Sequence, residues 1–180
     1  MHLPADPATP RTSRSYDRRM TILVCYASKR GGTQGIAETI ADALRDAGDD
    51  VRVEAARSAR GLDGVHAVIV AGALYAGRWH GDARRFVRKN KAQLSHVPVW
   101  LVASGPLDET ADPGTLAPVA HVRDAAASVG ARGTATFGGR LEPDAKGFPA
   151  SAMAKTQSGD WRNPARLRQW AGEVHAELGG

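Results

Sequence analysis

The chain contains a short stretch whose residue types suit the binding of a phosphate group. Residues 28–33, SKRGGT, combine two hydroxyl side chains with two glycines and follow an apolar run directly. Glycines let the backbone approach a ligand closely, and the N–H groups at the start of the helix that follows favour an anion. The order fits the pattern Ser/Thr-x-x-Gly-x-Thr, in which Ser28 and Thr33 add hydroxyl donors. A glycine-rich turn without a ligand is the alternative interpretation.

Two better-known phosphate-binding patterns do not fit this stretch. A nucleotide P-loop requires a lysine after its last glycine, whereas Thr33 follows Gly32 directly. A dinucleotide fingerprint could take its last two glycines from Gly32 and Gly35, but Arg30 stands where the first glycine belongs. We therefore expect one terminal phosphate to be bound, without an adenylate arm.

Two further segments, GALYAGRWHGD (72–82) and ASGPLDETADPG (103–114), are rich in glycine and longer than tight connections between strands and helices. Large aromatic residues in the first of them, Tyr75 and Trp79, could stack on a planar ligand, with packing against the next helix as the alternative. We interpret His80 as a solvated loop residue rather than a proton donor. Each segment follows a predicted strand.

Catalysis by a serine, a cysteine or a metal is not indicated. Ser104 lies in VASGP, which lacks the G-x-S-x-G pattern of a nucleophilic serine. The six histidines show no spacing typical of metal ligands. Cys25 is the single cysteine and lies in an apolar run, so we expect a buried, inert thiol and a cytoplasmic protein. We predict no catalytic side chain and no metal site.

The elements that position these segments alternate between strand and helix. Apolar runs predict five strands, and apolar residues at helical spacing predict four helices between and after them. Asp82 is predicted to cap the second helix, and Asn163 followed by Pro164 to begin the last one. The predicted strands are 21–27, 51–55, 67–72, 97–103 and 131–137, and the predicted helices are 33–47, 83–94, 118–129 and 164–178.

This alternation predicts an α/β fold: a doubly wound, five-stranded parallel sheet of order 2-1-3-4-5 with helices on both faces. In that order the first and third strands are neighbours at a switch point, where ligands bind beyond the carboxyl ends of the strands. The segments 28–33, 72–82 and 103–114 follow the first, third and fourth strands. We therefore expect them to form one site.

The charge of the chain is mildly basic. There are 24 Lys and Arg against 19 Asp and Glu, a net charge of +5. Residues 1–19 contribute +2 and contain three prolines without an apolar pattern, which predicts a disordered leader before a domain at 20–180, with Met20 as a possible start. The remaining charge looks scattered along the sequence, so nucleic-acid binding is not expected. No apolar stretch approaches the ~20 residues that span a bilayer, so we expect at most weak membrane contact.

The chain from residue 20 to 178 resembles flavodoxin-domain proteins, in particular the branch that includes menaquinone-dependent protoporphyrinogen oxidase and its actinobacterial members. The resemblance rests on SKRGGT, GALYAGRWHGDARRFVRKN, VPVWLVASGPLD and FGGRLEP. It implies a flavodoxin-like fold and non-covalent FMN. The resemblance assigns the phosphate to Ser28, Lys29, Arg30, Gly31, Gly32 and Thr33. It assigns the isoalloxazine ring to Ala73, Leu74, Tyr75, Ala76, Gly77 and Trp79 on one side and to Ser104, Gly105, Pro106, Leu107 and Asp108 on the other.

The resemblance implies an FMN-dependent oxidoreductase whose redox partner is a quinone, a porphyrin, another small molecule or a protein. An electron-carrier flavodoxin that serves a partner enzyme is one alternative, and a flavodoxin-like interaction domain without cofactor is another. The chain departs from both kinds of relative. Electron-carrier flavodoxins are strongly acidic, whereas this chain is basic. The protoporphyrinogen oxidases carry an extra segment near the last strand, and the corresponding residues 146–164 are modest in size and only mildly apolar.

Overall fold

The computed structural model describes residues 20–114, 116–148 and 150–179. The predicted leader, 1–19, lies outside the described residues. Fifteen elements follow one another along the described residues. They are β1 (Thr21–Ala27), α1 (Gly32–Asp46), β2 (Asp50–Ala55), β3 (Ala67–Tyr75), β4 (Arg78–Trp79), α2 (Gly81–Lys89), α3 (Lys91–Leu94), β5 (Val99–Ser104), a 3₁₀ helix (Glu109–Ala111), α4 (Ala120–Val129), β6 (Gly133–Phe137), β7 (Arg140–Leu141), α5 (Ala150–Gln157), β8 (Gly159–Asp160) and α6 (Pro164–Glu177).

The main sheet has the strand order β2-β1-β3-β5-β6, and these five strands are parallel. They correspond to the predicted strands one to five, so the predicted order 2-1-3-4-5 is confirmed. β1 and β3 are neighbours, with Ala27 opposite Gly72 at the end of the pairing. The segments that follow these two strands therefore begin side by side.

Successive residues of each buried strand contribute to opposite faces of the sheet. In β1, Leu23 and Cys25 belong to the core under α2 and α4, whereas Ile22 and Val24 belong to the core under α1 and α6. All four side chains are fully buried. Both faces of the sheet are therefore covered by helices, as the apolar runs predict.

The connection after β3 differs from the prediction. Instead of a loop from residue 72 onward, β3 continues to Tyr75 and turns back into β4, which pairs with it antiparallel. The turn residues Ala76 and Gly77 have φ values of 48° and 70°. Such turns match the twist of a hairpin because both central residues adopt positive φ. The segment is therefore a rigid hairpin rather than an irregular loop.

The helix cap predicted at Asp82 is wrong. α2 begins at Gly81, and the side chain that caps it is His80, which accepts a hydrogen bond from the backbone N–H of Asp82. Asp82 lies in the first turn and pairs with Arg85 at 3.0 Å. The predicted cap of the last helix is confirmed, because the Asn163 side chain accepts from the N–H of Arg166.

A small antiparallel ribbon, β7 paired with β8, lies after the last sheet strand and is interrupted by α5. Leu141, Ala150 and Ala154 pack together, with Leu107 and Ala145 beside them. This third, separate cluster packs α5 against β7 and the segment that follows β5. None of the described helices is both long enough and apolar enough to cross a membrane.

Candidate functional site

The first turn of α1 is open to an anion. Gly31 caps the helix with a φ of 75°, a left-handed conformation that glycine adopts without steric cost. Within the described chain, no side chain caps this turn and no acidic residue lies in it. The unpaired N–H groups and the helix dipole therefore leave a region of positive potential at Gly32 and Thr33.

A cavity of about 460 Å³ opens beside this helix start, at the carboxyl edge of the sheet. It joins the segments after β1, β3 and β5 and reaches the β7–β8 ribbon. Fourteen of the residues that sequence analysis assigned to the site line it: Ser28, Arg30, Gly32, Thr33, Ala73, Leu74, Tyr75, Ala76, Gly77, Ser104, Gly105, Pro106, Leu107 and Asp108.

The remaining assigned residues, Lys29, Gly31 and Trp79, do not line the cavity. Gly31 acts through the conformation of the backbone at the helix cap. Lys29 lies at the rim, where its Nζ is 5.5 Å from the centre of the Tyr75 ring and its N–H faces the Tyr75 hydroxyl at 3.4 Å. It therefore contacts the hairpin rather than the interior of the cavity.

The expectation that the Trp79 ring stacks on a ligand is wrong. Trp79 is 1% exposed and belongs to the core under α2 and α4. Its Nε1 donates to the carbonyl of Val102 at 3.1 Å. A Cβ atom at Gly72 would lie 2.3 Å from this Nε1, so only glycine leaves room for the indole there. Tyr75 is the aromatic residue that reaches the cavity.

The segment after β5 forms another wall of the cavity, next to the hairpin. A Cβ atom at Gly105 would lie 2.6 Å from the Leu74 side chain, so this glycine lets the segment and the hairpin approach each other. Asp108 accepts hydrogen bonds from the hydroxyl and the N–H of Thr110, and these bonds hold the pKa of its carboxyl below the usual range. The segment is therefore fixed at both ends of the stretch 105–108.

His80 is not the solvated residue that the sequence suggested. It is 9% exposed, and its ring lies edge-on to Tyr75 with 5.9 Å between the centroids. Burial, with a smaller contribution from Lys29, lowers the pKa of His80, although Asp82 acts in the opposite direction. Nδ1 accepts the capping hydrogen bond, and Nε2 is buried without a partner in the described chain. The imidazole is therefore a neutral structural group behind the hairpin.

Two arginines line the end of the cavity near α1. Arg30 donates from Nη2 to the carbonyl of Lys146 at 2.9 Å. Arg140 pairs with Glu142, and its Nε lies 3.9 Å from Asp160. The backbone of Arg140 passes beside Gly32, where a Cβ atom would be in ordinary contact with it. Two arginine side chains thus lie beside a helix start that is itself electropositive, and the charge of Arg140 is offset by Glu142 and Asp160.

Six residues that line the cavity were not predicted from the sequence: Gly139, Arg140, Leu141, Ala150, Met153 and Gln157. Gly139 lies just before β7, Arg140 and Leu141 form β7, and the other three belong to α5. In the sequence, only the paired glycines at 138–139 indicate that the backbone packs closely here. In the structure, a Cβ at Gly138 would lie 2.0 Å from the Trp161 carbonyl oxygen. Residues 146–164 are only mildly apolar, so the sequence does not predict α5, which forms a wall of the cavity.

Cys25 takes no part in this arrangement. It is fully buried in the sheet, and burial together with the charge of Glu54 raises the pKa of the thiol. The expectation of a buried, inert thiol is confirmed.

Comparison with known proteins gives a family and a fold. A flavodoxin from Streptococcus pneumoniae TIGR4 is 23% identical, has a TM-score of 0.57, and aligns over 87% of this chain and 99% of that one. A cysteine-to-serine mutant of a Pseudomonas aeruginosa flavodoxin is 16% identical with a TM-score of 0.58, over 89% and 100% of the two chains. A mutant of Fusobacterium nucleatum flavodoxin bound to flavin mononucleotide is 17% identical with a TM-score of 0.51, over 88% and 97%. No curated protein matches. Residues 23–174 match the flavodoxin domain, so the chain belongs to the flavodoxin domain family.

Proposed function

We propose that this chain is a redox flavoprotein that binds a single FMN in the cavity at the carboxyl edge of the sheet. The observation that carries the proposal is that one cavity joins the open start of α1 to the hairpin turn and to residues 105–108. A phosphate and a planar ring system attached to it could therefore be held at the same time. The flavin-bound flavodoxin among the similar structures supports the same ligand.

The phosphate belongs at the start of α1 because that end supplies N–H groups, hydroxyls and positive charge. Ser28 and Thr33 line the cavity there and can donate hydrogen bonds, and Arg30 adds positive charge. The absence of an acidic residue from the first turn of α1 favours a dianion. No fingerprint for a dinucleotide is present in the sequence, which favours FMN over FAD.

The ring system belongs between the hairpin and the segment after β5. Leu74, Tyr75, Pro106 and Leu107 offer apolar surface, and the backbone at Ala76 and Gly77 is exposed in the turn. When bound, FMN supplies the electron-transfer chemistry, while the chain orients it and controls its surroundings. No side chain of the cavity is needed as an acid or a base for this role.

We propose an oxidoreductase related to menaquinone-dependent protoporphyrinogen oxidase, cytoplasmic and with a quinone or porphyrin as substrate. The sequence resemblance and the wall formed by Leu141, Ala150 and Met153, which leaves apolar surface beside the ring site, support it. An electron carrier that serves a partner enzyme is the second candidate, and it is favoured by the flavodoxins among the similar structures. Steady-state turnover of a quinone or porphyrin without a protein partner would support the first candidate.

The absorbance spectrum of the purified protein, followed by mass analysis of the released ligand, tests the cofactor. We expect a flavin spectrum and FMN as the released species. A colourless protein that takes up no added FMN would indicate an interaction domain without cofactor. FAD or a deazaflavin as the sole native ligand would contradict the assignment of the phosphate end.

A further inference from the structure

The excess of positive over negative charge in the domain lies in two segments that the fold brings together. The connection after β2 and the helices α2 and α3 carry seven cations and, within 56–61 and 81–91, one acidic residue, Asp82. Residues 20–180 have a net charge of +3, so the rest of the domain is net negative. The expectation of scattered charge is therefore wrong. We name this surface the basic face: Arg57, Arg60, Arg84, Arg85, Arg88, Lys89 and Lys91.

A groove of about 340 Å³ runs between the two segments of the basic face. Arg57 and Arg60 line one side, and Arg85 and Lys89 line the other. Asp82 forms an ion pair with the Arg85 guanidinium at 3.0 Å. In the described parts of the chain, no carboxylate forms an ion pair with the side chain of Arg57, Arg60 or Lys89. The groove thus presents positive charge that the domain does not neutralise.

The backbone of both segments of the basic face is fixed by contacts within the domain. Glu54, at the end of β2, accepts a hydrogen bond from the N–H of Arg60 at 2.8 Å and pairs with Arg52. Burial raises the pKa of Glu54, but the bonds from Arg60 and Arg52 outweigh it and keep the pKa low. On the other side, Phe86 and Val87 anchor α2 in the core. A preformed surface loses little freedom on binding.

The basic face continues to the edge of the cavity. α2 begins directly after the β3–β4 hairpin, whose turn lines the cavity. Arg78 on β4 is exposed, and Lys29 covers the Tyr75 ring at the cavity rim. These two cations extend the positive charge from α2 toward the rim of the cavity.

We propose that the basic face docks an acidic protein that exchanges electrons with the flavin. The proposal rests on the proposed binding of FMN and on the second candidate function, the electron carrier, and it names the chemistry of the partner. A protein is favoured over a membrane because the exposed large apolar side chains in the described residues, Leu116, Phe148 and Met153, all lie outside the basic face. It is favoured over nucleic acid because Phe86, the aromatic residue of α2, is buried and offers no ring for base stacking.

The test measures binding of an acidic [2Fe–2S] ferredoxin, with basic cytochrome c as the opposite probe, by calorimetry. One variant reverses two charges of the basic face, Arg88→Glu with Lys89→Glu. The matched control, Lys155→Glu with Arg168→Glu, makes the same change of charge at exposed positions on α5 and α6. We expect ferredoxin affinity to fall roughly tenfold or more in the first variant and to stay within about twofold in the control. Higher salt should reduce the difference.

Equal affinity of the wild type and the basic-face variant, an equal loss in the control, or tighter binding of cytochrome c would each overturn the proposal. Tighter binding of phosphatidylglycerol vesicles than of ferredoxin at physiological salt would assign the basic face to a membrane instead. The measurement is made with flavin-free and FMN-loaded protein. If the chain takes up no FMN but still binds ferredoxin through the basic face, the docking surface is supported and the proposed function is contradicted. Uptake of FMN without ferredoxin binding would contradict the docking surface alone.

Discussion

Thr33 combines near-complete burial with a position on the cavity wall. Its side chain is 1% exposed and lies in the first turn of α1. We predict that Thr33→Val weakens FMN binding roughly tenfold to a hundredfold, because a hydrogen bond to a charged group contributes ~1.5–3 kcal/mol. Riboflavin, which lacks the phosphate, should bind the variant and the wild type almost equally. Titration of flavin fluorescence measures both affinities.

Thr39 provides the matched control in the same helix. Its hydroxyl donates to the carbonyl of Gly35 at 2.8 Å and does not line the cavity. Thr39→Val should therefore leave both affinities unchanged. If Thr33→Val lowered riboflavin affinity as much as FMN affinity, Thr33 would not contact the phosphate.

His80 makes the stability of the domain depend on pH. Burial holds its pKa below the ordinary value of 6.5, so the folded state keeps the ring neutral while the unfolded chain binds a proton more readily. The contribution to stability is complete above about pH 6.5 and decreases as the pH falls below that value. We predict a lower free energy of unfolding at about pH 5.5 than at about pH 7.5, measured by urea denaturation.

His80→Asn isolates this effect because asparagine can also cap α2 but does not titrate. The variant should lose part of the pH dependence between those two conditions, whatever its stability at the higher pH. His121→Asn, on the partly exposed first turn of α4, is the matched control and should retain the wild-type dependence. An unchanged pH dependence in the His80 variant would mean that other groups cause it.

At the scale of the element, the start of α1 depends on one left-handed residue. A Cβ at Gly31 would meet no atom within 4 Å, so the cost of Gly31→Ala is purely conformational. We predict a loss of about 1–2 kcal/mol in the free energy of unfolding. FMN affinity should fall as well, since the cap sets the direction of the first N–H groups. Denaturation and flavin titration measure the two effects.

Gly81→Ala tests the same substitution at the start of α2. A Cβ there would also meet no atom within 4 Å, but Gly81 does not have a positive φ. This variant should keep its stability or gain up to about 1 kcal/mol, since alanine favours helix. Equal losses in both variants would show that the left-handed cap is not the cause.

The sequence predicts the strands that are buried on both faces of the sheet. It does not predict the hairpin or α5, which bury few side chains. Continuous apolar runs identify β1, β3 and β5 because both faces of these strands are covered. The hairpin was missed because Trp79 was assigned to a ligand, whereas its indole occupies space that Gly72 leaves free in the core. The helix α5 was missed because it buries only Ala150 and Ala154, which form too weak an apolar pattern.

The candidate site could be predicted as far as it follows the sheet topology. The segments after β1, β3 and β5 meet because parallel strands end at the same edge. Arg140 and Met153 could not be predicted in the same way, because they lie on β7 and on α5, outside the main sheet. The capping role of His80 was equally hidden, since its sequence neighbours resemble those of an exposed loop.

At the scale of the whole molecule, every residue of the site follows residues 1–19 in the sequence. The cavity lining begins at Ser28 and the family match begins at residue 23. We predict that removal of residues 1–19 leaves the free energy of unfolding and FMN affinity unchanged, while salt-sensitive attraction to anionic vesicles becomes weaker. The leader carries +2 of the net charge, and each cation near such a surface contributes ~1 kcal/mol. Vesicle flotation and flavin titration of both lengths measure this.

Tight vesicle binding that survives high salt, in either form, would contradict the expectation of weak contact. It would indicate apolar insertion, for which Phe148, 91% exposed just before α5, is the obvious candidate. Phe148→Ser would then abolish the salt-resistant part of the binding.

The pairing of Leu141 with Gly159 gives the fold a natural splice point. Since residues opposite each other in an antiparallel pair are only ~5 Å apart, an Asn-Gly turn could replace residues 142–158 and leave the five main strands untouched. The cavity would then lose the wall that holds Ala150, Met153 and Gln157 but keep the start of α1 and the hairpin. The segment between the two ribbon strands is thus a replaceable insert: changing its length or sequence should alter which molecules reach the ring without altering the main sheet beneath.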